Sequence, residues 1–118
     1  MQQIQYKIKE KTKEINLPES LGFGKIFTDH LFEMDYTPEK GWHNPTIQPV
    51  DGLPMHPATM FIHYGQAVFE GLKAFKQENG DVVTFRADKH IARLNNSSRR
   101  ICISEIDEEF VLDELKEL

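Results

Sequence analysis

A chain of 118 residues and 13.7 kDa has room for one domain or a piece of one, and none for two. Its 39% apolar and 28% charged residues, with mean hydropathy −0.52, exclude a membrane-like or disorder-like composition. Fourteen basic against nineteen acidic side chains leave a net −5, so no basic excess exists to neutralise a nucleic-acid backbone.

Residues 1–14 alternate apolar and polar through Ile4, Tyr6 and Ile8, the pattern of a short edge strand or extended arm. Leu17-Pro18 and Leu21-Gly22-Phe23-Gly24 interrupt any regular element. Residues 26–36, rich in β-branched and aromatic side chains, read as a strand. Five of the six prolines fall in residues 37–57, which predicts a long irregular crossing, because proline cannot donate to a ladder. Residues 58–70 have an apolar face through Phe61, Ile62, Val68 and Phe69, a helix that Gly71 would end.

Residues 72–76 and 82–86 form two short strands joined through Asn79-Gly80, a strong hairpin signal because both residues tolerate positive φ. Residues 87–100 read as a helix with Asp88 as N-cap, burying Ile91, Leu94 and Ile101. Asp107 is placed to cap a last helix carrying Phe110, Val111, Leu115 and Leu118. Residues 104–118 hold seven acids against Lys116 alone, an acidic solvent-facing helix. The order β-β-loop-α-β-β-α-α is an α+β pattern, with an antiparallel hairpin and helices on one side. Leu118 still falls in the apolar period with no stop signal, so the chain is expected to be cut from a longer one.

The chemistry-bearing residues are few. The single cysteine, Cys102, excludes an internal disulfide, fits a reducing compartment, and lies between two isoleucines as a small buried residue would. Lys7, Lys9, Lys11 and Lys13 break every apolar run near the start, so no signal peptide is read, and no stretch approaches the ~20 apolar residues of a membrane span. A cytoplasmic protein without membrane or nucleic-acid partners is expected. The five histidines are scattered without metal-ligand spacing, and no glycine-rich phosphate loop occurs.

Two features stand out. Arg86, Arg93, Arg99 and Arg100 cluster around one helix, where the planar guanidinium fork suits a phosphate or carboxylate. On spacing alone a solvated helix face with i,i+4 partners is the better explanation. HYGQAVFEGLKAF, residues 63–75, places Tyr64 and Phe69 five apart beside glycines. They read either as core aromatics or as rigid walls of a small-ligand pocket.

FGKIFTDHLFEMDY, GWHNPTIQP, LPMHPATMFIHYGQAVFEGLKAF and TFRADKHIARLNNSSRR together resemble the N-terminal part of the branched-chain amino-acid aminotransferases, over residues 21–118. That family uses pyridoxal 5'-phosphate on a D-amino-acid-transaminase-like fold. The resemblance implies an N-terminal arm, residues 1–20, followed by an incomplete small domain, residues 21–118, with the C-terminal catalytic domain absent. It implies that Arg93 binds the cofactor phosphate and that Phe23, Tyr64 and Phe69 line the pocket for a branched side chain. It implies a homodimer acting on leucine, isoleucine or valine and on 2-oxo acids, with 2-oxoglutarate as amino acceptor. The family's cofactor-binding lysine lies beyond Leu118. Neither Lys73 nor Lys76 matches it, so no catalytic residue is assigned and the chain alone is expected to be inactive. Arg86, Arg99 and Arg100 match no functional position. Two other readings remain: a non-catalytic binding or regulatory module, and another enzyme of the same fold, a D-amino-acid transaminase or aminodeoxychorismate lyase.

Overall fold

The computed structural model describes Gln5, Tyr6, Ser20 and residues 22–118. The chain divides into two compact units, Met1–Leu53 with Leu118, and Pro54–Glu117. Its content is α+β, as the element order predicts.

The first unit is a three-stranded sheet in the order β1 (Gln5–Tyr6), β3 (Gly41–Pro49), β2 (His30–Thr37). β2 and β3 pair antiparallel, and Tyr36 meets its cross-strand partner Trp42 edge-on with ring centroids 5.2 Å apart. β1 pairs parallel to β3 at the sheet edge, so the alternation in residues 1–14 is realised in two of them; the rest of that arm lies outside the described residues. β2 starts at His30 rather than residue 26.

β3 overturns the expectation of an irregular crossing over residues 37–57 for its own span, while residues 50–57 are irregular as expected. A bulge makes the strand compatible with its prolines. Glu33 pairs with Thr46 and Asp35 with His43, so two steps along β2 match three along β3. Asn44, at φ 53, takes the left-handed conformation that asparagine tolerates, and its Nδ2 donates to Asp35 Oδ2 across the strands at 3.1 Å. The ladder is thus interrupted beside Pro45, which has no N–H to contribute. Pro49 closes the strand. Pro45, Thr46 and Ile47 are buried, and Ile47 is the buried apolar side chain of this unit among the described residues.

The second unit begins with α1 (Met60–Tyr64), a helix of five residues. The predicted helix over residues 58–70 stops early because Gly65 takes φ 62 and its N–H closes on the Phe61 carbonyl at 3.1 Å. β4 (Ala74–Lys76) and β5 (Val82–Thr84) form the expected hairpin. Only Gly80 of the Asn-Gly pair has positive φ. Its N–H reaches Gln77 O at 3.0 Å, while Asn79 Oδ1 accepts from the Asp81 N–H.

α2 (Ala87–Arg100) matches its predicted span, but its N-cap is Arg86, at φ 52, and not Asp88. Asp88 sits inside the first turn, where a carboxylate still favours the positive end of the helix. Ile91, Asn95 and Ser98 form the buried stripe at four- and three-residue spacing. Leu94 is half-buried and Ile101 is exposed. Asn95 is buried because it is satisfied: its Oδ1 accepts from Ile106 N at 2.8 Å, and its Nδ2 donates to Ile106 O and Glu108 Oε1.

α2 ends in a Schellman arrangement. Ile103 N–H bonds Ser98 O at 2.9 Å and Cys102 N–H bonds Arg99 O at 3.4 Å, with Cys102 at φ 60 where glycine is usual. That conformation turns Cys102 outward, so it is exposed rather than buried between its isoleucine neighbours. α3 (Glu108–Glu117) is capped as expected, with Asp107 Oδ1 accepting from Phe110 N at 3.0 Å. Its buried side chain is Glu114, whereas Leu115 and Leu118 are exposed.

Candidate functional site

Arg93 lies on the exposed side of α2, with its side chain 63% accessible. It is not the loosely solvated arginine that spacing alone permits. Its Nε donates to Glu70 Oε2 at 2.6 Å, and its Nη2 donates to Glu70 Oε1. Two parallel charge-assisted bonds fix the guanidinium plane, which a single contact would leave free to rotate.

Glu70 stands in the irregular segment after α1, yet its side chain is only 8% exposed. Two further donors converge on it: the Gly71 backbone N–H at 3.0 Å and His90 Nδ1 at 3.1 Å, both on Oε1. The hydrogen bonds from Arg93 and His90 hold its carboxyl well below the usual range, from 4.5 to about 2, against the opposing effect of burial. The same pairing raises the Arg93 pKa further, so the guanidinium stays charged. With the proton on His90 Nδ1 pointing at Glu70, the 3.4 Å approach of Arg93 Nη2 to that nitrogen is a contact between two donors, not a hydrogen bond.

Among the described residues, no hydrogen bond falls on Arg93 Nη1. Glu70 occupies the edge formed by Nε and Nη2, and the edge formed by Nη1 and Nη2 remains. That second edge is the one an oxyanion engages with two parallel bonds. The donor set therefore fits a phosphate monoester such as the one carried by pyridoxal 5'-phosphate.

Tyr64 ends α1 and is 78% exposed; Phe69 immediately precedes Glu70 and is 79% exposed. Neither packs into the core of its unit. Glu70 thus ties the segment that carries Phe69 to the helix that carries Arg93. Phe23 belongs to the other unit and is 84% exposed. Arg99 has a separate role, closing the turn between α2 and α3 through two bonds to Glu105 at 2.9 and 2.5 Å.

Glu70 and His90 were not singled out from the sequence. For His90 a signal exists, since His90 and Arg93 are three apart and share a helix face. For Glu70 there is none, because its segment has no regular period and its partner lies 23 residues on.

No protein-family model matches the chain. Curated relatives do. Branched-chain-amino-acid aminotransferase 2 of Bacillus subtilis (strain 168) is 54% identical over 101 residues, covering 86% of this chain and 28% of the relative. Branched-chain-amino-acid transaminase 1 of the same organism is 50% identical over 113 residues, covering 93% and 32%. A branched-chain-amino-acid aminotransferase of Mycolicibacterium smegmatis is 43% identical over 97 residues, covering 82% and 26%. The chain spans less than a third of the length of these relatives. Across most of its residues, the chain is homologous to the N-terminal part of the branched-chain-amino-acid aminotransferases.

Proposed function

We propose that the chain is the N-terminal portion of a pyridoxal-phosphate-dependent transaminase that moves the amino group of leucine, isoleucine or valine to 2-oxoglutarate. The observation that carries the reading is the 54% identity to a branched-chain aminotransferase over 101 residues. Arg93 stands within that homology with a fixed, outward guanidinium and an open edge. In this role Arg93 binds the cofactor's phosphate, while Phe23, Tyr64 and Phe69 bound the pocket for the branched side chain. The cofactor, when bound, supplies the electron sink that amino-group transfer requires.

The division of labour follows from the side chains. An apolar wall discriminates branched from polar substrates by roughly 1–3 kcal/mol per methylene-sized step. The Tyr64 hydroxyl adds one polar group to an otherwise apolar wall. A lysine to hold the cofactor covalently and a second phosphate cradle belong to a C-terminal domain in this reading, and the assembled enzyme is a cytoplasmic homodimer. Large apolar side chains exposed on this chain, among them Phe61, Phe69, Phe75 and Phe85, support further packing partners.

The test is to read the gene beyond the Leu118 codon and assay the protein it encodes for glutamate formation from leucine and 2-oxoglutarate. Turnover that falls with Arg93→Ala, with a weaker cofactor affinity, supports the reading. A frame that stops after Leu118, or a product that does not transaminate branched-chain amino acids, overturns it.

A further inference from the structure

We propose that Glu70 is the positioning residue of the anion site: it clamps the Nε–Nη2 edge of Arg93, and so presents the Nη1–Nη2 edge to a phosphate in one fixed orientation. The inference rests on the reading of Arg93 as a phosphate ligand and adds to it the residue that orients the ligand.

The geometry separates a clamp from an ordinary surface ion pair. Exposed pairs lose much of their Coulomb attraction to water and to the entropy of two flexible side chains. Here one partner is already immobile. Glu70 is 8% exposed and is held by its neighbour's backbone N–H from Gly71 and by His90 from α2. Arg93 therefore meets a pre-set fork, and two of its five N–H donors are committed. Of the remaining three, one on Nη2 and one on Nη1 lie side by side. A phosphate reaching them finds the guanidinium plane already set, which removes part of the ordering cost of binding.

A carboxylate beside an anion site also has an opposite effect, because its negative charge repels the phosphate. The two effects predict opposite results for one substitution. Glu70→Gln removes the charge and keeps only one acceptor for Arg93. If positioning dominates, phosphate binds more weakly; if charge dominates, it binds more tightly.

The experiment is an NMR titration of the 118-residue chain with inorganic phosphate, following the Arg93 Nε–H resonance, in the wild type and in Glu70→Gln, Glu70→Asp and Arg93→Ala. The wild type is expected to show a phosphate-dependent shift at Nε–H, and Arg93→Ala to abolish binding. Glu70→Gln is expected to weaken binding roughly fivefold or more, the scale of one lost hydrogen bond. It should also speed solvent exchange of the Arg93 Nε–H, which the carboxylate otherwise protects. Glu70→Asp keeps the charge but falls short by one methylene, so it should weaken binding in the same direction, and it replaces Glu70→Gln if that variant does not fold. Phosphate binding that depends on Arg93 but is unchanged or tighter in the Glu70 variants overturns the positioning role and leaves the Arg93 reading standing. No Arg93-dependent binding in the wild type overturns both, and the Nε–H exchange rate then shows whether the clamp itself forms.

Discussion

Glu70 and Arg93 lie 23 residues apart, one in an irregular segment and one on a helix, and meet through two parallel hydrogen bonds. The pair fastens the aromatic-bearing segment of the second unit to α2. It also accounts for the low titration of Glu70, through Arg93 first and His90 second.

The pH dependence of folding follows from that pairing. The Glu70 carboxyl titrates lower in the folded chain, at about 2, than its ordinary 4.5. A depressed acid contributes stability that is fully present above the ordinary value and is lost as pH falls toward about 2. Urea unfolding followed between pH 6 and pH 2 is expected to show a loss of stability in that window. Glu70→Gln should flatten it, and an unchanged profile would show that the pair does not form in solution.

Glu114 has the opposite sign. It is buried on α3, its Oε2 has no hydrogen-bond partner among the described residues, and burial, then Glu117 and Asp113, push its carboxyl up. A raised acid costs stability once it ionises, so the cost is absent at low pH and grows as pH rises through the ordinary carboxylate range. Glu114→Met is expected to stabilise the chain at pH 7 by about 1 kcal/mol, the scale of an unsatisfied buried acceptor. The gain should shrink near pH 3, where the acid is protonated in both states. A destabilised variant would show that the carboxylate has a partner in solution.

Cys102 occupies the left-handed position of the Schellman motif that ends α2, at φ 60. A side chain there clashes with its own backbone, and glycine does not. Cys102→Gly is expected to stabilise the chain by roughly 0.5–1 kcal/mol, because the relieved strain is partly offset by the freer unfolded glycine. Thermal melts of the two proteins decide it. Cys102→Val should be destabilised relative to the parent, since branching at Cβ worsens the same clash.

What the sequence disclosed was local. The Asn79-Gly80 hairpin, the span of α2 and the Asp107 cap each depend on a few adjacent residues, and each formed, the hairpin with strands shorter than the expected 72–76 and 82–86. What it concealed depends on partners far along the chain. β3 carries Pro45 and Pro49, which argue against a strand until the bulge at Asn44 excuses the missing N–H. Nothing local marks Asn95 as buried, since it is Ile106 that satisfies both ends of its amide. The role proposed for Arg93 comes only from resemblance, and its orientation was not legible at all, because the carboxylate that sets it lies in a segment without a period. Tyr64 and Phe69 left two readings open, and in the folded chain both lie outside the core of their unit.

Asn95 tests whether α3 depends on α2. Its amide accepts from Ile106 N and donates to Ile106 O, closing the connection between the two helices from the buried side. Arg99 and Glu105 close the same connection from the exposed side. Removing the amide strands a part-buried backbone donor, at about 1–3 kcal/mol, whereas an exposed ion pair screened by water contributes little. Asn95→Ala is therefore expected to destabilise the chain well beyond Arg99→Ala, and to speed amide exchange in α3 more than in β2. Asn95→Asp keeps the acceptor for Ile106 N but turns a carboxylate oxygen toward Ile106 O and Glu108 Oε1, and should destabilise the chain at least as much as Asn95→Ala at neutral pH. Equal losses for Asn95→Ala and Arg99→Ala would mean that the connection is held by its surface pair, and that water satisfies the Ile106 backbone groups once the amide is gone.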